Sequence, residues 1–110
     1  VQRAKAIIWK PTLIHSPDLG KLLFEEARPG QTSILVLSGS FETGVGTAAL
    51  ANYAALFSSA GVPVGLDTYR WIGPDVLRHR LPLDSGVVDL GAIHEASRDV
   101  DESRLTRIWP

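Results

Sequence analysis

A short apolar run at residues 33–38 constrains the fold more than any other feature of this chain. The run reads Ser-Ile-Leu-Val-Leu-Ser, with apolar side chains at successive positions. A strand of this kind is buried on both faces, which is typical of a parallel sheet. A glycine-rich loop follows over residues 39–46, and an alanine-rich helix is predicted over residues 47–60. The apolar positions of that helix recur at the spacing of one helix face: Leu50, Tyr53, Ala54 and Phe57.

Two further signals complete a β-α-β unit over residues 33–68. Gly61 follows the predicted helix, as glycine often does at a helix C-terminus, and Pro63 comes soon after it. Residues 62–68 then predict a second strand. Because parallel neighbouring strands need a crossover connection that is usually a helix, we expect an α/β fold, a Rossmann-like parallel sheet with flanking helices.

The flanking segments add weaker signals. Residues 4–9 predict an earlier strand, which Pro11 ends. Ser16, Pro17 and Asp18 mark the start of a helix that runs to about residue 27. The other predicted elements are a short helix over 73–80, a third strand over 86–93, a polar loop over 95–102 and a last strand over 105–109.

Composition excludes several classes of protein. The chain has 11 Lys and Arg against 12 Asp and Glu, which excludes a strongly basic nucleic-acid-binding protein. It has no Cys, so a disulfide scaffold and a thiolate nucleophile are excluded, and its three His have no metal-binding spacing. No apolar run reaches the roughly 18 residues of a membrane span. We expect residues 1–110 to form a single, incomplete domain of a longer chain.

The glycine-rich loop lies where α/β sheets place their ligands, between a buried strand and a helix N-terminus. Free N–H groups and the helix dipole favour a phosphate or a carboxylate at such a position. Glycine also lets the backbone approach a ligand closely. The alternative is a tight turn with no ligand.

Two phosphate-binding motifs match this loop in part. Gly39 and Gly44 have the glycine spacing of a Walker A loop, but Val45 stands where that motif requires Lys. Residues 44–49 fit the dinucleotide fingerprint G-x-G-x-x-G/A, and Asp67 lies near the position of its ribose-binding acid. Residues 39–43, however, separate the strand from that fingerprint.

Residues 34–68 resemble the first β-α-β unit of the N-terminal, acceptor-side domain of GT-B glycosyltransferases of the family four type. The matching stretches are Ile-Leu-Val-Leu-Ser-Gly at 34–39, Thr-Gly-Val-Gly-Thr at 43–47 and Ala-Gly-Val-Pro-Val at 60–64. The longer loop that departs from the dinucleotide fingerprint is ordinary in this family.

The resemblance implies transfer of a sugar from a nucleotide-sugar donor to a sugar or lipid-linked acceptor. It implies no metal and no further cofactor, and a second domain that holds most of the nucleotide. The donor diphosphate would approach the loop residues Thr43, Gly44, Val45, Gly46 and Thr47. We therefore expect a cytoplasmic protein with, at most, peripheral membrane contact.

A few other residues are candidates for function. His94 follows the predicted third strand and is a weak catalytic candidate, while Arg70 and Arg78 are candidates for anion contacts. Tyr69 and Trp71 are expected to pack in the core. No G-x-S-x-G sequence supports a serine hydrolase. The alternative functions are a Rossmann-type nucleotide- or NAD-binding module and a non-catalytic α/β domain.

Overall fold

The structure is a computed structural model that describes residues 4–14, 16–26, 33–58, 60–83 and 86–109. Its helices and strands are β1 (Ala6–Trp9), α1 (Pro17–Glu26), β2 (Ile34–Leu37), α2 (Gly44–Phe57) and α3 (Leu90–Ser97), with 3₁₀ helices at Asp67–Trp71 and Glu102–Arg104. Two parallel strands and their helices confirm the α/β class. The finer Rossmann-like assignment stays a prediction.

Strand β2 lies between two parallel neighbours. β1 pairs with it in parallel, with Ala6 opposite Ile34 and Trp9 opposite Leu37. On the other edge of β2, a single parallel bridge joins Ser38 to Gly65. There the Gly65 amide donates to the Leu37 carbonyl at 2.9 Å. The prediction of a second strand over residues 62–68 is therefore wrong: this segment contributes one bridge residue, and a 3₁₀ helix begins at Asp67.

The core lies on one face of this sheet. Helix α2 covers that face with small and branched side chains, and it packs against these buried residues of the strands: Trp9, Leu35 and Leu37. The Trp9 ring meets the rings of Tyr53 and Phe57 edge-on, at centroid distances of 6.3 and 5.7 Å. These contacts fix α2 against β1, and so they fix where its N-terminus lies.

The opposite face of the sheet is open. Ile8 of β1 is 67% exposed and Ile34 of β2 is 48% exposed, while Val36 is half-buried. The prediction that the central strand is buried on both faces is therefore wrong for the described residues.

Helices begin where side chains cap them. Ser16 accepts a hydrogen bond from the Leu19 amide at 3.2 Å, which confirms the predicted start of α1. Residue 27, where we expect that helix to end, lies outside the described residues. α2 begins at Gly44, three residues before the predicted start, because Thr43 is its N-cap.

The predictions for the last third of the chain are largely wrong. Residues 73–80 form no helix; Leu77 instead pairs with Val100 in an antiparallel bridge. The predicted strand over 86–93 and the polar loop after it give way to α3, because Asp89 caps a helix by accepting from the Ala92 amide at 3.0 Å. Residues 105–109 are exposed and form no strand.

Candidate functional site

The candidate site is the loop that joins β2 to α2. Thr43, at its end, accepts a hydrogen bond on its side-chain oxygen from the Gly46 amide at 3.3 Å. Its carbonyl accepts from the Thr47 amide at 2.8 Å. The five residues predicted to lie nearest a phosphate, 43–47, are therefore the N-cap and the first turn of α2, at the carboxyl end of β2.

A carboxylate of the chain itself occupies this helix N-terminus. The Gly44 amide is 3.0 Å from both side-chain oxygens of Asp75, and it donates to them. The Tyr69 hydroxyl donates to Oδ2 of the same carboxylate at 2.7 Å. Asp75 is only 7% exposed. The amide predicted to meet an external anion thus already has an anionic acceptor.

Asp75 is ionised despite its burial. Burial raises its pKa, but hydrogen bonds from the Gly44 amide and the Tyr69 hydroxyl lower it, with help from the positive charge of Arg80, and the net pKa lies below the ordinary 3.8. Burial and the hydrogen bond to Asp75 raise the pKa of Tyr69, which therefore stays a hydrogen-bond donor. The Arg80 guanidinium lies over the Tyr69 ring, 4.5 Å from its centroid.

Gly44 is a glycine because Asp75 and Leu77 pack directly against it. A Cβ atom at this position would lie 2.3 Å from Leu77 Cδ1 and 2.4 Å from Asp75 Oδ2, far inside van der Waals contact. The close approach that the sequence predicts for a ligand is therefore made by residues of the same chain.

A second carboxylate holds the first half of the loop. Glu42 accepts from the Ser40 amide at 2.7 and 2.9 Å and from the Thr12 hydroxyl at 2.5 Å. Burial raises the pKa of Glu42, but the bonds from Thr12 and Ser40 and the charge of Lys10 lower it below its usual value. The Lys10 ammonium also donates to the carbonyl of Gly39. Local sequence patterns could not predict that Lys10 and Thr12 contact this loop, because both residues follow β1, about 30 residues earlier in the chain.

What remains open to a ligand is a small part of the helix start. Gly44 and Thr47 are buried, Gly46 is half-buried, and Val45 is 44% exposed. Among the described residues no acceptor meets the Val45 amide. An anionic ligand therefore has one free amide here, and a second if the Thr43 side chain rotates away from Gly46.

The other predicted site residues lie elsewhere. His94 is an exposed residue within α3, so the premise that it follows a strand is wrong, and its catalytic role stays a prediction. Asp67 lies in a 3₁₀ helix and forms an ion pair with Arg70 at 2.9 Å. Arg78 pairs with Asp99 at 3.4 Å. Tyr69 is buried as expected, whereas Trp71 is exposed.

Metal-binding and membrane-spanning features were sought across the part of the chain that the structure describes. Within it, no three or more His, Cys, Asp or Glu side chains form a group fit for a metal ion. No helix there combines the length and apolar character needed to cross a membrane. In comparisons with protein-family models, curated proteins and solved structures, nothing matches this chain.

Proposed function

We propose that this chain is the acceptor-side α/β domain of a glycosyltransferase that uses a nucleotide-sugar donor. In this proposal the donor diphosphate approaches the first turn of α2 at Val45 and Gly46, and an acceptor binds to the same domain. The parallel pairing of β1 with β2 and the glycine-containing first turn of α2 support the proposal.

The observation that carries it is the Val45 amide at the carboxyl edge of a parallel sheet: it has no acceptor among the described residues, and Val45 as a residue is 44% exposed. Open α/β sheets bind ligands at that edge. The N-terminus of α2, a helix of 14 residues, carries a positive partial charge of about half an elementary charge. An amide fixed in that position costs no reorganisation when negative charge develops on a leaving diphosphate.

The Thr43 hydroxyl is a side-chain donor for the same ligand, since it lies beside the Gly46 amide. It now accepts from the Gly46 amide at 3.3 Å, which is a long hydrogen bond, and Thr43 is exposed. Rotation of this side chain frees the Gly46 amide, and the hydroxyl can then donate to a phosphate oxygen. The proposed site thus comprises two amides and one hydroxyl.

Removal of one amide tests this proposal. Val45→Pro deletes the N–H group, and proline is tolerated in the first turn of a helix. Val45→Ala keeps the N–H group while it also removes the valine side chain beyond Cβ. We expect inorganic pyrophosphate, which stands for the donor diphosphate and is titrated into the chain by isothermal calorimetry, to bind the Val45→Ala variant as it binds the native protein. The Val45→Pro variant should bind at least about tenfold more weakly, the effect of a lost hydrogen bond to a charged group.

Thermal unfolding of both variants checks that they fold. Equal pyrophosphate affinity in the two folded variants would exclude the helix N-terminus as the phosphate site. NAD is titrated as a second ligand. If NAD binds the native protein but not an Asp67→Ala variant, the dinucleotide-binding alternative is favoured. Binding of neither ligand would favour a structural role for the loop.

A further inference from the structure

A cavity of about 580 Å³ lies beside the 3₁₀ helix Asp67–Trp71, away from the first turn of α2. This volume is within the range of about 300–1,000 Å³ that is usual for small-molecule sites. Its walls are formed by aliphatic side chains from two segments of the chain: Val64, Leu66, Leu81, Leu83 and Val88. Polar and charged residues, among them Tyr69, Arg70 and Arg80, form the rest of the lining, so the cavity is apolar on one side only.

A smaller hollow of about 210 Å³ continues the cavity along α2. The two spaces share Val64, Leu66 and Val88 as lining residues. The helix side of the smaller hollow consists of alanines, at positions 51, 54 and 55, whose side chains end at a methyl group and leave the space open. The two hollows therefore adjoin each other, and together they are called the groove here; its α2 side is apolar.

Among the described residues, the larger cavity is lined by more positive than negative side chains. Arg70, Arg80 and Asp67 line the larger cavity. Arg70 pairs with Asp67, but both side chains are more than 60% exposed, at 62% and 67%. An ion pair this exposed contributes little, so Arg70 can exchange Asp67 for another anion. Arg80 is held in place, because it donates to the Tyr69 carbonyl at 2.7 Å.

We propose that this groove binds a long-chain carboxylate, with its alkyl chain along the alanine side of α2 and its carboxylate at Arg70. The aliphatic side of the cavity and the smaller hollow favour an alkyl chain. Among the described lining residues, two guanidinium groups against one carboxylate favour a negative head group. This site is separate from the first turn of α2 and does not depend on the proposed transferase function.

The head group is tested with three ten-carbon probes: decanoate and decyltrimethylammonium, used below their micelle concentrations, and decanol, used below its solubility limit. We expect decanoate to bind saturably, decanol more weakly and decyltrimethylammonium not at all. Arg70→Gln should weaken decanoate binding about fivefold, the effect of one exposed ion pair. Arg78→Gln, a matched change of an exposed arginine that does not line the cavity, should leave the affinity unchanged.

Ala55→Leu tests the part of the groove that is proposed to bind the alkyl chain of the ligand. Ala55 is exposed on α2, and leucine is a good helix former, so this variant folds. The larger side chain fills the smaller hollow, and we expect the preferred carboxylate in a series from octanoate to tetradecanoate to become shorter. An unchanged chain-length preference would overturn the proposal. So would equal binding of decanoate and decyltrimethylammonium, or the absence of saturable decanoate binding.

Discussion

Replacement of Asp75 by Asn tests whether a buried carboxylate fixes the start of α2. The substitution keeps the shape of the side chain, but it removes the negative charge and turns one acceptor oxygen into an NH₂ donor. In the native protein both oxygens accept from the Gly44 amide at 3.0 Å, and Oδ2 also accepts from the Tyr69 hydroxyl at 2.7 Å. An Asn side chain cannot satisfy all of these donors.

The expected loss follows from these contacts. A hydrogen bond to a charged group contributes about 1.5–3 kcal/mol to stability, and an anion at a helix N-terminus adds about 0.3–1 kcal/mol. Since Asn keeps one acceptor oxygen, we expect Asp75→Asn to lower the free energy of unfolding by about 2 kcal/mol at neutral pH. For a chain of 110 residues this corresponds to a decrease in Tm of about 9 °C.

The stability lost in Asp75→Asn should be larger at neutral pH than in acid. The pKa of Asp75 is lower in the folded protein than its ordinary value of 3.8. Its stabilising contribution is therefore present above pH 3.8 and disappears as the pH falls through the lower, folded pKa. Urea unfolding, followed by tryptophan fluorescence, measures the free energy of unfolding of the native protein and of the variant. The difference between the two free energies should be large at neutral pH and smaller in acid.

Asp67→Asn is the matched control. Asp67 is an exposed carboxylate whose one described ion pair joins it to Arg70, so its loss should change stability by no more than about 0.5 kcal/mol. If Asp75→Asn is no more destabilising than Asp67→Asn, or if its effect is the same in acid, then the Asp75 carboxylate does not hold the start of α2.

Two further predictions concern the same loop. Gly44→Ala places a Cβ 2.3 Å from Leu77, so we expect a loss of about 1–3 kcal/mol in urea unfolding, whereas Gly73→Ala, at a position with open space, should be close to neutral. Glu42→Gln removes the charge that holds the Ser40 amide at 2.7 Å, and hydrogen exchange of that amide should accelerate about tenfold; an unchanged rate would show that the carboxylate does not order the loop.

The first half of the fold follows from local signals in the sequence. The apolar runs predict β1 and β2, and the Ser-Pro-Asp sequence predicts the start of α1. The start of α2 is missed by three residues, because Gly44 and Gly46 disfavour a helix interior. The cost of glycine in a helix matters less in the first turn, because the Thr43 side chain caps the helix and accepts from the Gly46 amide.

In the second half, residue type and helix capping indicate different elements, and capping decides the outcome. Val87 and Val88 favour a strand by residue type, but Asp89 caps a helix in which Leu90 and Ile93 are three residues apart. Ile93 is fully buried, so this spacing places one helix face in the core. Helical periodicity after an N-cap residue is the signal that identifies α3.

The sequence around Asp75 correctly predicts that its carboxylate meets free helix amides, but it predicts the wrong helix. Pro74 and Asp75 predict a helix start, where an acidic side chain meets free amides. Asp75 does meet the free amide of a helix, but that helix is α2, which begins 31 residues earlier in the chain. Local sequence patterns identify the chemistry of such a residue, and only the tertiary fold identifies its partner.

Both glycines of the Gly44-Val45-Gly46 sequence are explained by packing. A Cβ at Gly46 would lie 2.9 Å from Glu42 Cβ, just as one at Gly44 would collide with Leu77. Glycine at these two positions therefore does not in itself require a ligand. An anion at the first turn of α2 would also lie near the ionised carboxylates of Glu42 and Asp75, which repel it. The Val45 amide is the feature that a phosphate can still use, which is why Val45→Pro against Val45→Ala separates a ligand-binding loop from a purely structural one.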